Sequence, residues 1–161
     1  MPESIYDTVI RTLEEDEVPF LVDTRTGMIA ILVPSPRGGP LVIEVITDDE
    51  QQEAFFRCGV APVPQTRRAE LLELLNDLNV GLKPFNRWLL AGEVAGVQVG
   101  CELVEAAVPE KLIRIAFGRI LHALEFGAQR VLHAVEHGYS PEADAVAEAT
   151  RITGGKSAAA E

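Results

Sequence analysis

His133, Glu136 and His137 stand in the order H-x-x-E-H, two imidazoles one helical turn apart with a carboxylate beside them, a pattern that can bind zinc and supply a general base. A catalytic zinc needs a third protein ligand. His122 is the only other histidine, and about 16 Å of helix axis would separate it from His133. On a helical wheel His122, His133 and His137 fall within about 60° of one another, opposite the apolar stripe, so all three are expected to face solvent. Other chemistry is no better supplied. There is no Gly-rich phosphate loop, nucleophile elbow or Cys-x-x-Cys pair, and Ser4, Ser35, Ser140 and Ser157 fall at helix caps, in a Pro-rich loop or in the tail. Cys58 and Cys101 are too few for a disulfide framework and too isolated for a zinc site, and read as buried or half-buried thiols. The sequence implies no catalytic residue, no metal and no cofactor, hence a protein that is not an enzyme.

The histidines ride on the longest predicted helix, which Pro109 opens and Gly138 stops. Ile113, Phe117, Ile120, Leu121, Leu124, Val131 and Val135 cluster on one side of it, as in a helix that covers a sheet. Gly118 and Gly127 each cost about 1 kcal/mol of helix propensity and point to a kink or a close approach.

The chain is organised around a second helix, Pro64 to Val80, with Gly81 behind it. Leu71, Leu74, Leu75 and Leu78 repeat at i, i+3, i+4 and i+7, and Leu72 widens the apolar arc to roughly 160°. An arc wider than one packing stripe suggests that this helix also serves a partner or dimer interface, with Leu71, Leu72, Leu75 and Leu78 as its residues.

The remaining elements follow from pattern. Ser4 with Asp7 caps a first helix over about 5–16, which ends in the acidic knot Glu14–Glu17, expected to be solvated and frayed. Phe20–Val22 and Met28–Val33 form a hairpin. Pro34–Pro40, with three prolines and two glycines, is a loop, and Leu41–Ile46 another strand. Residues 47–63 are ambiguous: Thr47 and Glu50 could cap a short helix, whereas the alternation of Ala54, Phe56, Cys58 and Val60 favours a strand. Lys83–Leu90 and Val94–Val104 form a second hairpin around Ala91–Glu93. Ser140 and Pro141 open a weak helix to about 152, and the chain from Gly154 reads as disordered.

Composition bounds the function. With 161 residues and 47% hydrophobic content, one core is within reach; residues 1–138 are read as one domain and 139–161 as weak helix and tail. No apolar run approaches the roughly 18 residues of a membrane span, and the N-terminus has no signal-peptide pattern, so no membrane association and a cytoplasmic location are expected. The net charge of −11 repels phosphate backbones and argues against nucleic acid. Residues 1–60 carry 12 acidic and 4 basic side chains, residues 61–161 carry 13 and 10, so the acidic excess lies at the front and suits basic partner segments.

Val63-Pro64, Arg67-Arg68, the run Leu71 to Asn79 with Leu-Asn at 75–76 and 78–79, the strand pair with Gly92, and Pro109-Glu110 together resemble the YbjN-like family of bacterial proteins. The resemblance covers about residues 5–137 and omits the Pro34–Pro40 loop and the segment after Gly138. It implies an α+β fold of the type III secretion chaperone-like kind: a twisted antiparallel sheet of about five strands with helices, in the order α-β-β-β-α-β-β-α, small, acidic and homodimeric. It also implies a chaperone-like adaptor that binds a partner protein through apolar surface or, alternatively, a regulator of a bacterial signal-transduction pathway acting on a signalling protein by a specific contact.

Overall fold

The computed structural model describes residues 3–82, 86–102, 109–142 and 144–145, with the backbone alone for Cys101 and Glu102. Helix α1 (Ile5–Glu15) leads into β1 (Leu21–Val22), β2 (Ile29–Pro34), β3 (Pro40–Asp48) and β4 (Glu53–Pro62). A short 3-10 turn (Gln65–Arg67) then runs into α2 (Arg68–Asn79), followed by β5 (Asn86–Ala91), β6 (Val94–Glu102) and α3 (Pro109–His137). All pairings are antiparallel, in the order β1-β2-β3-β4-β6-β5.

The sheet has six strands where about five were expected, because residues 53–62 are a full central strand. Asp48 Oδ1 accepts the N–H groups of Glu50 and Gln51, so this stretch opens on a tight turn and not on a capped helix. The Pro34–Pro40 segment is shorter as a loop than its composition suggests. Both prolines lie in strands and pair with each other, leaving a turn closed by the Ser35 N–H to Gly39 O bond at 3.1 Å. Residues 83–85 of one predicted strand and Leu103 and Val104 of the other lie outside the described residues.

Strand alternation decides what the helices cover. Ile29 and Ile31 of β2, Ile43 and Val45 of β3, Ala54, Phe56 and Cys58 of β4, and Val97 and Val99 of β6 point to one face and are buried. α3 lies across β4 and β6, α1 beside it against β3, and α2 against β5. Ser4 caps α1 as its spacing predicts, accepting the Asp7 N–H at 3.0 Å. The acidic end of that helix is exposed, as expected, and two of its carboxylates are ion-paired at the surface. Arg114 of α3 holds Asp16 at 2.8 Å and Glu15 at 3.0 Å, and Arg11 spans Glu3, Glu15 and Glu110.

The inner face of α3 is built as much from small residues as from large ones: Ala116, Ala123, Gly127, Ala128 and Ala134 are buried alongside Ile113, Ile120, Leu124 and Val131. Gly127 is a close approach, since a Cβ there would come within 2.3 Å of Trp88 Cζ2. Gly118 has open space before it. Beyond Gly138, whose φ of 87° ends the helix, the chain is still attached. Tyr139 donates its N–H to Glu70 Oε2 at 3.0 Å and its hydroxyl to Asp77, and Arg130 holds Asp144. Little past Gly138 is apolar enough to dock, but Tyr139 is half-buried against the core. Residues 141–142 and 144–145 are helical; the rest of the predicted terminal helix and the tail lie outside the described residues.

Candidate protein-interaction site

The three histidines are exposed on α3. The His133 and His137 rings lie 4.7 Å apart and His122 sits 4.5 Å from the Phe126 ring. Glu136 pairs with Arg37 and lies 3.5 Å from His137. Among the described residues no group of three His, Cys, Asp or Glu side chains could hold a metal. Cys58 is buried, and burial pushes its thiol up to about 11, where a thiolate nucleophile is scarce. Ion pairing accounts for much of the remaining titration behaviour: the Arg11 guanidinium holds Glu3 and Glu110 below the usual carboxylate range.

The expected interface residues separate. Leu71 and Leu75, with Leu74, are buried in the core of their own chain, Leu78 is half-buried against it, and only Leu72, 43% exposed, faces outward. Leu71 and Leu75 therefore present no surface to a partner. Apart from Leu72, the wide apolar arc is consumed because α2 packs on β5 and on α3 together.

Another surface is available. No described element packs on the second face of the sheet, and much of that face is apolar. Leu32 of β2 pairs with Val42 of β3, and Gly59 of β4 pairs with Gly96 of β6, which pairs in turn with Leu89 of β5. Ile46, Phe55 and Gly100 form a second cross-strand set. Leu32 is 53% exposed, and Val42, Ile46 and Val94 are exposed as well. Between these sets runs a polar ladder, Ala30–Glu44–Arg57–Gln98–Arg87, in which Arg57 Nε donates to Glu44 Oε2 at 2.5 Å. An exposed pair of this kind is worth about 0–1 kcal/mol. The two glycines leave a hollow of about 350 Å³ walled by Leu89, Val94, Arg57 and Gln98. Gly96 has no alternative, since a Cβ there would lie 2.4 Å from the Cys58 carbonyl oxygen.

The two edges of the sheet differ. At β5 the Asn79 side chain imitates a neighbouring strand: its Oδ1 accepts the Trp88 N–H at 2.6 Å and its Nδ2 donates to the Trp88 carbonyl at 2.8 Å. That blunts the edge. At the other end β1 pairs only with Ile29 and Ala30, so β2 from Ile31 to Pro34 has no described strand on its outer side. Exposed Leu21 and Leu32 lie beside this edge. Nearby a second hollow, of about 500 Å³, is lined by Tyr6, Met28, Ile46, Asp23 and Asp49 among others. The Arg25 backbone N–H and the Thr26 hydroxyl hold the Asp23 carboxyl below its ordinary value, so it stays ionised.

A signal for the bare face was present in the sequence. The unbroken apolar runs Met28–Val33 and Leu41–Ile43 are what strands apolar on both faces look like, whereas a sheet with one solvated face alternates.

No family model matches the chain, and no curated protein matches its sequence. Among solved structures, a chain in the crystal structure of the ExsC-ExsE complex superimposes with a TM-score of 0.53 at 10% identity, over 78% of this chain and 91% of that one. At that identity the likeness speaks of fold alone, and the fold is α+β of the type III secretion chaperone-like kind. It does not single out the YbjN-like family.

Proposed function

We propose that the protein is a chaperone-like adaptor without catalytic chemistry, which holds an extended segment of a partner protein against the bare face and free β2 edge of its sheet and works as a homodimer. The observation that carries this reading is the apolar outer face, with Leu32, Val42, Ile46 and Val94 exposed on β2, β3 and β6 of one sheet, since apolar surface gathered on one face marks an interaction site. A chain of similar fold occurs in the ExsC-ExsE complex, which supports a protein-binding use of the scaffold.

Magnitudes shape the rest. Covering what remains exposed of those four side chains contributes on the order of 1 kcal/mol each, about half of the roughly 8 kcal/mol of a micromolar complex. Strand addition along Ile31–Pro34 adds main-chain hydrogen bonds. A basic side chain of the partner, its stem against Tyr6 and Met28 and its head at Asp23 and Asp49, adds charge pairing and faster encounter. Dimerisation falls to the outer side of α2, where Leu72 and Val80 are exposed.

The test is capture from the source cell with identification by mass spectrometry, followed by binding of the identified segment to wild type, Leu32→Glu and Asp23→Lys chains. Both variants should weaken binding, and raising salt from about 50 to 500 mM should slow association. A partner bound only as a folded domain, or equally by all three chains, overturns the proposal. In sedimentation, Leu72→Glu should turn a dimer into a monomer; a monomeric wild type at high micromolar concentration removes the homodimer.

A further inference from the structure

The apolar row that crosses the outer face of the sheet has a gap in it. Leu32 and Val42 stand at one end and Leu89 at the other, but Gly59 of β4 and Gly96 of β6, which pair with each other between them, carry no side chain. From Val42 to Leu89 is three strand spacings, about 14 Å, which leaves the width of one ring between the two side chains. The floor of the gap is bare backbone. Leu89 and Val94 form its apolar walls, Arg57 and Gln98 its polar rim, and every residue lining the hollow is described.

The two glycines are there for different reasons. A Cβ on Gly96 would collide with the Cys58 carbonyl oxygen, whereas a Cβ on Gly59 would meet only Val94 Cγ1, at 3.1 Å, on an exposed side chain able to turn. Gly59 does not have a positive φ either. A glycine inside a strand weakens it and often marks a place where a ligand or another chain comes close. The register also shifts between Gly59 and Ala61, a bulge of the kind that re-aims neighbouring side chains.

Charge selects the occupant. Arg57 lies on the same face two residues from Gly59, about 7 Å along the strand, and its guanidinium is held in place by Glu44 while its side chain stays 52% exposed. A cation fixed beside an apolar gap repels a basic anchor and attracts the face of an aromatic ring. The Gln98 amide offers a polar partner to the O–H or N–H that tyrosine and tryptophan keep at their wet end. We infer that the gap takes one aromatic side chain, tyrosine or tryptophan, from the extended segment of the partner protein, its ring over Gly59 and Gly96 and beside the Arg57 guanidinium. This rests on the bare face being the partner-binding surface, and adds what the partner must carry.

The probe is a capped threonine–tryptophan–threonine tripeptide, with counterparts carrying cyclohexylalanine or lysine at the centre, titrated into the isotope-labelled full chain up to about 5 mM and followed by NMR. The tryptophan peptide should shift the Gly59, Gly96 and Leu89 amides saturably, the cyclohexylalanine peptide should bind roughly two- to fivefold more weakly, and the lysine peptide should not bind. Gly59→Val should weaken the tryptophan peptide roughly tenfold by filling the gap, and Arg57→Gln should abolish the preference over cyclohexylalanine. Circular dichroism confirms folding; Arg57 is at the surface, so its variant tests the site even if Gly59→Val misfolds. No saturable shift at about 5 mM, equal binding of the tryptophan and cyclohexylalanine peptides to wild type, or a preference unchanged in Arg57→Gln each overturns the inference. Broadening of the same amides with protein concentration alone assigns the gap to a second copy and overturns it as well. A captured partner segment weakened by Leu32→Glu but untouched by Gly59→Val removes the aromatic anchor and leaves the bare-face reading standing; one untouched by both removes both.

Discussion

Gly127→Ala and Gly118→Ala are the same substitution in the same helix, and the structure assigns them opposite signs. Helix propensity alone favours alanine at both positions by about 1 kcal/mol. At Gly127 the new Cβ would lie 2.3 Å from Trp88 Cζ2 and 2.7 Å from Cε2, against an ordinary contact of at least 3.4 Å. The indole must therefore retreat by about 1 Å or the helix must lift from the sheet. Trp88 has little room to retreat: it is 3% exposed, and both its backbone groups are bonded to Asn79. Overpacking of this kind costs about 1–3 kcal/mol and sometimes more, which exceeds the propensity gain. Gly127→Ala should be net destabilising by on the order of 1–2 kcal/mol, with a changed Trp88 emission in the folded state. Gly118→Ala meets open space and should stabilise by about 1 kcal/mol. Urea unfolding followed by far-UV circular dichroism measures both, and for a chain of this size each kcal/mol corresponds to roughly 2–4 °C in Tm. A Gly127→Ala chain as stable as wild type, with unaltered tryptophan emission, would refute the close packing of α3 on β5.

Asn79→Ala should leave the N–H and carbonyl of Trp88 without their partners and cost about 1–3 kcal/mol in the same assay; a loss within error would mean that water replaces the clamp. The strap at Tyr139 should depend on pH. The Tyr139 N–H and then Arg67 hold the Glu70 carboxyl below its ordinary 4.5, so the contact is fully present above the unfolded-state value and is lost as pH falls through the lower folded one. Amide exchange at Tyr139 should speed up, relative to exchange of the α3 core amides, as pH drops through the lowered Glu70 value; parallel behaviour of the two would count against the strap. Cys58, with its thiol pushed up to about 11 and 1% exposed, should resist alkylation at pH 8 until the chain unfolds, and rapid labelling of the native protein would contradict its burial.

Much of the fold was legible because it rests on local rules. The Ser4–Asp7 cap, the proline before and glycine after each long helix, and the period-two alternation of β4 and β6 are short-range physics, and the elements appear close to where these signals put them. The outward placement of His122, His133 and His137 followed from the helical wheel in the same way. The sequence alone could not say which apolar residues would be spent inside the chain. Leu71 and Leu75 looked available on an arc of roughly 160°, but α2 packs on both β5 and α3, and the two neighbours use all of the arc except Leu72. Leu32, Val42 and Ile46 lie in apolar strands whose pattern does not say which face stays open; all three helices settle on the other face and leave them outside. Gly127 read as a kink or a close approach; only the tertiary structure shows that what it approaches is the Trp88 ring, and that Asn79 clamps the Trp88 backbone. Periodicity fixes which side of an element is apolar, because that depends on residues a few positions apart. What covers that side depends on contacts between residues far apart in the chain, and these are set by packing.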